Sequence, residues 1–325
     1  MPIMKHGRFQ ILSLDGGGLK GLFTAAFLAQ WEKGRKTRVI DHFDLIAGTS
    51  TGGIIAIGLG LGFPAEEIMG LYVDKAAQIF PPKSFANAKH WLTVKHSAEG
   101  LRKALTDLLG KRKLGESEKR LLIPAYDPAY NGIHIFKTSH HYRLQTDYKQ
   151  SAVHVAMATS AAPSYLPTHS TESGLQLLDG GVWANNPVML AVVEAMGYLN
   201  RPRTKIAALR IGTTEEVISL KDIKTMGGKL QMAAPVIDFL MRGQSQSASG
   251  MVHHLLNTTK RRKRFIEINP PVAPGDFHLD RLSKDLIAMA EAKWRHASSE
   301  LSDLGFFAHQ AAPYEPHHPL KEAQE

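Results

Sequence analysis

The chain reads as an α/β fold, a mainly parallel central sheet flanked by helices, and two observations predict it. An apolar, strand-length run, Phe9–Leu14, ends in Asp15 and three glycines and leads into an apolar run of helix length. A second run, Phe43–Ala47, ends in Gly48-Thr49-Ser50-Thr51-Gly52 and again leads into an apolar, helix-length segment, Gly53–Leu61. Two strand–turn–helix units in succession give parallel strands with helices laid on the sheet faces.

The remaining elements follow in order. The first helix, Leu19–Lys33, places Leu22, Phe23, Ala26, Phe27 and Trp31 on a broad apolar face. Pro64 marks the start of a helix over Ala65–Ile79. Phe80–Val94, with Pro81, Pro82, Phe85 and Trp91, reads as an irregular lid. Glu99–Leu109 is helical, Leu121–Tyr126 and Ile133–Lys137 are strands, and Val153–Ser160 is a short helix. Leu175–Leu178 is a strand running into Asp179-Gly180-Gly181, followed by a helix over Pro187–Leu199 and a strand over Ile206–Ile211. The C-terminal part, 213–310, is mainly helical: a methionine-rich stretch within Gly227–Leu256, a strand-like Phe265–Ile268, and a final helix over Asp280–Leu304. With no repeat and no linker, residues 1–310 are expected to form one domain, and 311–325 a loose Pro- and His-rich tail.

Composition narrows the function. Apolar residues make up 43% and charged residues 21% of 325, which supports a sizeable core. The absence of cysteine removes disulfides, thiolate nucleophiles and Cys-based zinc sites. The first ten residues carry no apolar signal-peptide region, and the most apolar run, Ile54–Phe63, is about half the length of a membrane span. A cytoplasmic protein is therefore expected. The net charge of +9 favours an anionic partner, either a membrane surface or a nucleotide. Nucleic-acid polymers fit worst, because the basic cluster Lys260–Arg264 has no interleaved aromatic residues and no DNA-binding spacing occurs.

Three turns carry chemistry. Gly48–Gly52 has the strand, G-x-S-x-G, helix order of a nucleophile elbow, which holds a serine hydroxyl proud of the sheet. The Thr51 amide then lies at a helix N-terminus, facing developing negative charge. Gly16–Gly21 formally fits the dinucleotide pattern G-x-G-x-x-G, but that reading needs an acidic residue at the end of the next strand. Here that strand ends in the serine turn, so the bare glycine amides are better read as an anion-binding nest. The third is Asp179, set free of obstruction by Gly180 and Gly181. A Ser-His-Asp triad stays open, because His134, His140, His141, His154 and His169 all fall in loops or strand ends, and nothing selects one of them.

Together, Asp15–Gly21, Gly48–Gly52 and Asp179–Gly181 resemble, in this order, the motifs of the patatin-like phospholipase family. The resemblance covers roughly residues 8–212, and Thr159-Ser160-Ala161-Ala162-Pro163 extends it. It implies a patatin-like three-layer α/β/α fold and a serine–aspartate dyad without histidine. Ser50 would be the nucleophile and Asp179 the general base, with the amides of Gly17 and Gly18 binding the oxyanion. Gly16, Gly21, Gly48, Gly52, Gly180 and Gly181 would shape the turns. Lys20 stands where the family often has arginine, so charge is kept but two-pronged hydrogen bonding is lost. Neither a metal nor a cofactor is implied.

Aspartate is ordinarily a weaker base than histidine, by about 3.5 kcal/mol in proton affinity, so esters are feasible substrates and peptides poor ones. In size, and in having little beyond the lipase core, the chain is also similar to bacterial phospholipases of anti-phage defence switched on by cyclic dinucleotides. The expectation is hydrolysis of membrane phospholipid acyl esters at the inner membrane surface, with a cyclic dinucleotide as activator and homo-oligomers left open. The alternatives are a constitutive patatin-type lipid acyl hydrolase, a nucleotide-binding module built on Gly16–Gly21, and a catalytically inert scaffold.

Overall fold

In the computed structural model, residues 7–81, 96–171, 174–217, 229–257 and 263–320 are described, without side chains for 229–238. The central sheet has the strand order β5-β6-β3-β2-β1-β7-β9, and β4 lies along β3. Its middle is parallel: β1 (Phe9–Leu14) pairs with β2 (Leu45–Gly48) and β7 (Ile206–Ile211), β2 with β3 (Arg120–Asp127), and β7 with β9 (Phe265–Ile268). Antiparallel pairs close one side, where β3 meets β4 (Gly132–Lys137) and β6 (Gln176–Asp179), and β6 meets β5 (His169–Ser170). Two short strands, β8 (Glu215–Glu216) and β10 (Pro271–Val272), form a separate parallel pair.

Alternation along the central strands sorts the core into two layers, as expected for a sheet covered on both faces. Leu12 and Leu14 of β1, Ile46 of β2 and Leu209 of β7 face one cluster. That cluster is built on α1 (Gly21–Glu32), α2 (Thr51–Gly60), α3 (Ala65–Ile79), α4 (Ala98–Leu109), α5 (Ala152–Thr159) and α9 (Asp285–Asp303). Phe9 and Ile11, Leu45 and Ala47, and Ile206 and Ala208 face the other, covered by α7 (Val188–Gly197) and α8 (Lys229–Leu256), while the short α6 (Gly181–Ala184) follows β6. The predicted three-layer α/β/α class is therefore the observed one.

One register fixes where the chemistry can happen. Leu122 of β3 pairs with Ala47 on one edge and with Lys137 of β4 on the other. β4 continues along that second edge to Asp127, so β6, which pairs with Ala125 and Tyr126, must use the edge shared with β2. A strand has only two hydrogen-bonding edges. β2 and β6 thus occupy one lane and meet end to end, which brings Asp179, the last residue of β6, to the turn that follows Gly48.

The structure departs from the sequence expectation at several ends. α2 begins at Thr51, as the helix-terminal place expected for its amide requires, two residues before the apolar run Gly53–Leu61, and the Ser50 carbonyl accepts the Ile54 amide at 3.0 Å. α9 begins at Asp285 rather than Asp280: the preceding residues form a turn whose Leu279 carbonyl accepts the Leu19 amide at 2.7 Å. Residues 311–320, expected to be loose, form no helix or strand but are pinned. Ala311 N–H donates to Asp41 O, His317 N–H to Ser139 O, and the Tyr314 ring lies under the Arg120 guanidinium. Most of the predicted lid (82–94), residues 260–262 of the basic cluster and the end of the tail (321–325) fall outside the described residues. Of the cluster, Lys263 pairs with Glu300 at 3.0 Å, and the Arg264 side chain donates to the backbone of Leu256. Among the described residues no helix is long and apolar enough to cross a membrane.

Trp31 anchors the larger core layer. It is fully buried against Phe43, Trp294 and Phe307, with ring centroids at 5.5, 5.9 and 4.5 Å. Trp31→Ala is expected to lower the unfolding free energy by about 3–5 kcal/mol, measured by denaturant titration.

Candidate active site

Ser50 sits at the tip of a sharp turn, with φ 54° and ψ −122°. A non-glycine residue held there stores about 1–3 kcal/mol of strain, which the surroundings must hold in place. The flanking glycines let the turn close. A Cβ on Gly48 would lie 2.1 Å from Gly52 O, and one on Gly52 would lie 2.2 Å from Leu14 O. Thr49 ties the turn down on both sides, its amide to Leu14 O at 3.1 Å and its hydroxyl to Ala184 O at 2.6 Å. On the helix side, Tyr72 Oη meets Thr51 Oγ1 at 2.5 Å.

The Ser50 hydroxyl donates a hydrogen bond to the Asp179 carboxylate. That carboxylate is 4% exposed, and its Oδ1 also accepts the Gly181 amide at 2.6 Å. Burial pushes the Asp179 pKa up to about 6, against the opposing pull of the hydrogen bonds from Ser50 and Gly181. Removal from water has therefore brought an ordinary carboxylate close to the basicity of an imidazole.

Thr159, at the end of α5, binds the two halves together. Its hydroxyl accepts the Ser50 amide at 3.0 Å and donates to Pro124 O at 2.6 Å, while its carbonyl accepts the Gly180 amide at 3.3 Å. One residue thus holds both the strained turn and the Asp179 turn.

The glycine turn stands opposite. The Gly16 amide donates to Asn185 O, and that of Leu19 to Leu279 O. Among the described residues, the amides of Gly17 and Gly18 between them, and that of Thr51, find no acceptor. Gly18 adopts φ 56°, and a Cβ there would meet the Leu279 carbonyl oxygen at 2.3 Å, so glycine is needed on both counts. Lys20 ends the 3-10 turn Gly18–Lys20 and precedes α1.

Beneath the turn, Asp15 receives Arg210 through Nε at 2.9 Å and Nη2 at 2.5 Å. Arg210 Nη1 also reaches Glu267 at 2.7 Å and Ser249 Oγ at 2.9 Å, and its Nη2 reaches Ser245 Oγ at 2.8 Å. Burial raises the Asp15 pKa, and the Arg210 charge and hydrogen bonds pull it back. Both Arg210 bonds fall on Asp15 Oδ2, while among the described residues the buried Oδ1 has no partner, so the guanidinium charge is what makes the buried carboxylate tolerable.

The structure therefore brings Ser50, Asp179, Gly16, Gly17, Gly18 and Thr51 to one place, with Gly48, Gly52, Gly180 and Gly181 in the turns that hold it. The histidines lie elsewhere. His140 bonds the buried Glu194 at 2.8 Å, His134 is 3.9 Å from Asp147, and His141 packs on Tyr198. His154 and His169 meet edge to face. Sequence reasoning missed Arg210, the serines of α8 and Asn185, which lies against Gly16. No local pattern marks them, because each acts through a contact made by the fold.

The patatin-like phospholipase profile matches residues 12–192, and the chain belongs to that family. It is 31% identical over 330 residues to a cGAMP-activated phospholipase of Pseudomonas aeruginosa, covering 98% of this chain and 97% of the relative. A Vibrio cholerae protein of the same name is 28% identical, across 92% and 93% of the two chains. The patatin-like protein 2 of Arabidopsis thaliana is 30% identical, across 82% and 76%. The protein is thus a lipid acyl hydrolase by family.

Thr159→Val keeps the shape and removes the acceptor for the Ser50 amide. It is expected to lower kcat by about 10–100-fold at little change in KM, and Thr159→Ser to restore most of it, read by ester-hydrolysis kinetics.

Proposed function

We propose that Ser50 attacks the acyl carbonyl of a membrane phospholipid and that Asp179 takes its proton. The observation that carries this reading is the hydrogen bond from the Ser50 hydroxyl to a buried carboxylate of raised pKa. As the Ser50 Oγ–carbon bond forms, the carbonyl oxygen becomes an oxyanion, and the unpaired amides of Gly17, Gly18 and Thr51 are the donors for it. Asp179, now protonated, returns the proton to the departing alcohol. Water then enters, Asp179 takes its proton as the water oxygen bonds to the acyl carbon, and that proton passes to Ser50 Oγ as the Oγ–carbon bond breaks and the fatty acid leaves.

The relatives' names support a second element, activation by cGAMP. The net charge of +9 suits both an anionic activator and an anionic inner membrane surface. A constitutive enzyme is the competing reading.

The raised pKa fixes the sign of two pH effects. The base must be ionised, so kcat/KM is expected to climb through about pH 6 and level off above it, rather than near pH 4. Stability runs the other way. The folded protein holds the Asp179 proton more tightly than the unfolded chain, whose carboxylate titrates near 3.8. This contribution is therefore fully present below about pH 4 and is lost as pH rises through about 6, a change of about 3 kcal/mol. Asp179→Asn is expected to lose about 10²–10⁴-fold in activity while melting several degrees higher than wild type at pH 8. Full activity in that variant, or no labelling of Ser50 by a fluorophosphonate, would remove the dyad. Vesicle hydrolysis is expected to rise on addition of cGAMP; equal turnover without it would remove the switch.

A further inference from the structure

A groove of about 680 Å³ runs between α3 and the 278–282 segment. Its α3 wall is formed by Val73, Ala76, Ala77 and Phe80, spaced i, i+3, i+4 and i+7, which is a single helix face. Across from them lie Leu19 and Leu282. On each wall one lining residue adjoins the site along the chain. Leu19 directly follows Gly18 of the glycine turn, and Val73 directly follows Tyr72, whose hydroxyl touches Thr51. The stripe from Val73 to Phe80 spans about 10 Å, the length of about eight extended methylenes.

The rim carries two carboxylates against one guanidinium. Asp74 and Asp280 stand among Arg281 and His278, and Asp280 is engaged by the buried His96 at 3.3 Å. Phe80 packs edge-on against His96, 4.9 Å between centroids, so an aromatic pair stands at the C-terminal end of the stripe. An apolar trough with more carboxylates than guanidinium groups at its lip does not select an anion, whereas it fits a hydrocarbon chain.

We propose that this groove holds the acyl chain of the substrate while its ester lies at Ser50, and that Phe80 sets the length of chain accommodated. The proposal rests on the lipid-hydrolase reading above. It adds a specificity surface formed jointly by α3, the glycine turn and the C-terminal third of the chain.

The experiment uses fluorophosphonates bearing ethyl, octyl, dodecyl or hexadecyl chains on the full-length protein with cGAMP present, and follows the rate of Ser50 labelling. In Ala77→Trp, an exposed position, the indole fills the trough. Ethyl labelling is expected to stay within about twofold of wild type and dodecyl labelling to slow by about tenfold or more. Phe80→Ala is expected to shift the preferred chain towards the longer probes. An unchanged dependence on chain length in both variants would overturn the proposal, as would Ala77→Trp abolishing only the response to cGAMP, which would give the groove to the nucleotide. If Ala77→Trp fails to react even with the ethyl probe, Phe80→Ala decides alone. If no probe labels the wild-type protein, the hydrolase reading itself falls.

Discussion

Asp179 reaches Ser50 because β6 enters the lane along β3 that β2 vacates at Gly48, and the demands on the rest of the site follow from keeping that meeting dry and rigid. Two strands ending head to head along β3 turn their last residues towards the same gap. The carboxylate there has lost most of its hydration, and among the described residues two donors replace it. That deficit holds the proton more tightly, and a tighter hold on a proton is what a base needs. The fold thus obtains from desolvation what a triad obtains from a histidine.

Rigidity comes from an unequal partnership between the two parts of the chain. The first 212 residues supply the serine, the aspartate and the glycine turn. The C-terminal part supplies the braces: Glu267, Ser245 and Ser249 complete the shell of Arg210, which holds Asp15 just before the turn. With both guanidinium and carboxylate buried, loss of either partner would strand the other at a cost of several kcal/mol. The network therefore gives the turn one position rather than several.

How much of this was legible in the sequence depended on how far each effect acts along the chain. Strand and helix periodicity and the glycine turns are local, so Ala65–Ile79 and Ile206–Ile211 were read with their observed ends. Ser50 and Asp179 announced themselves because each needs glycine neighbours, and a turn with glycines is visible in a single sequence. Thr159 opens the Thr159–Pro163 stretch of the family resemblance, yet its task, accepting the Ser50 amide while donating to Pro124, cannot be read from order alone. Arg210 looked like one residue of a strand. The raised basicity of Asp179 was invisible too, since it comes from burial by residues far away in the chain. The end of the last helix was well placed and its beginning was not, because Leu279 is held by a contact some 260 residues upstream.

That contact carries a consequence for how such proteins can be rebuilt. The Leu279 carbonyl sits against Gly18 and takes the Leu19 amide, so the shape of the glycine turn is partly dictated from the far end of the polypeptide. A hybrid joining residues 1–212 to an unrelated C-terminus would inherit the serine and the aspartate intact but not the wedge that props the amides open. In this architecture the reactive pair is portable between chains, and the cradle facing it is not.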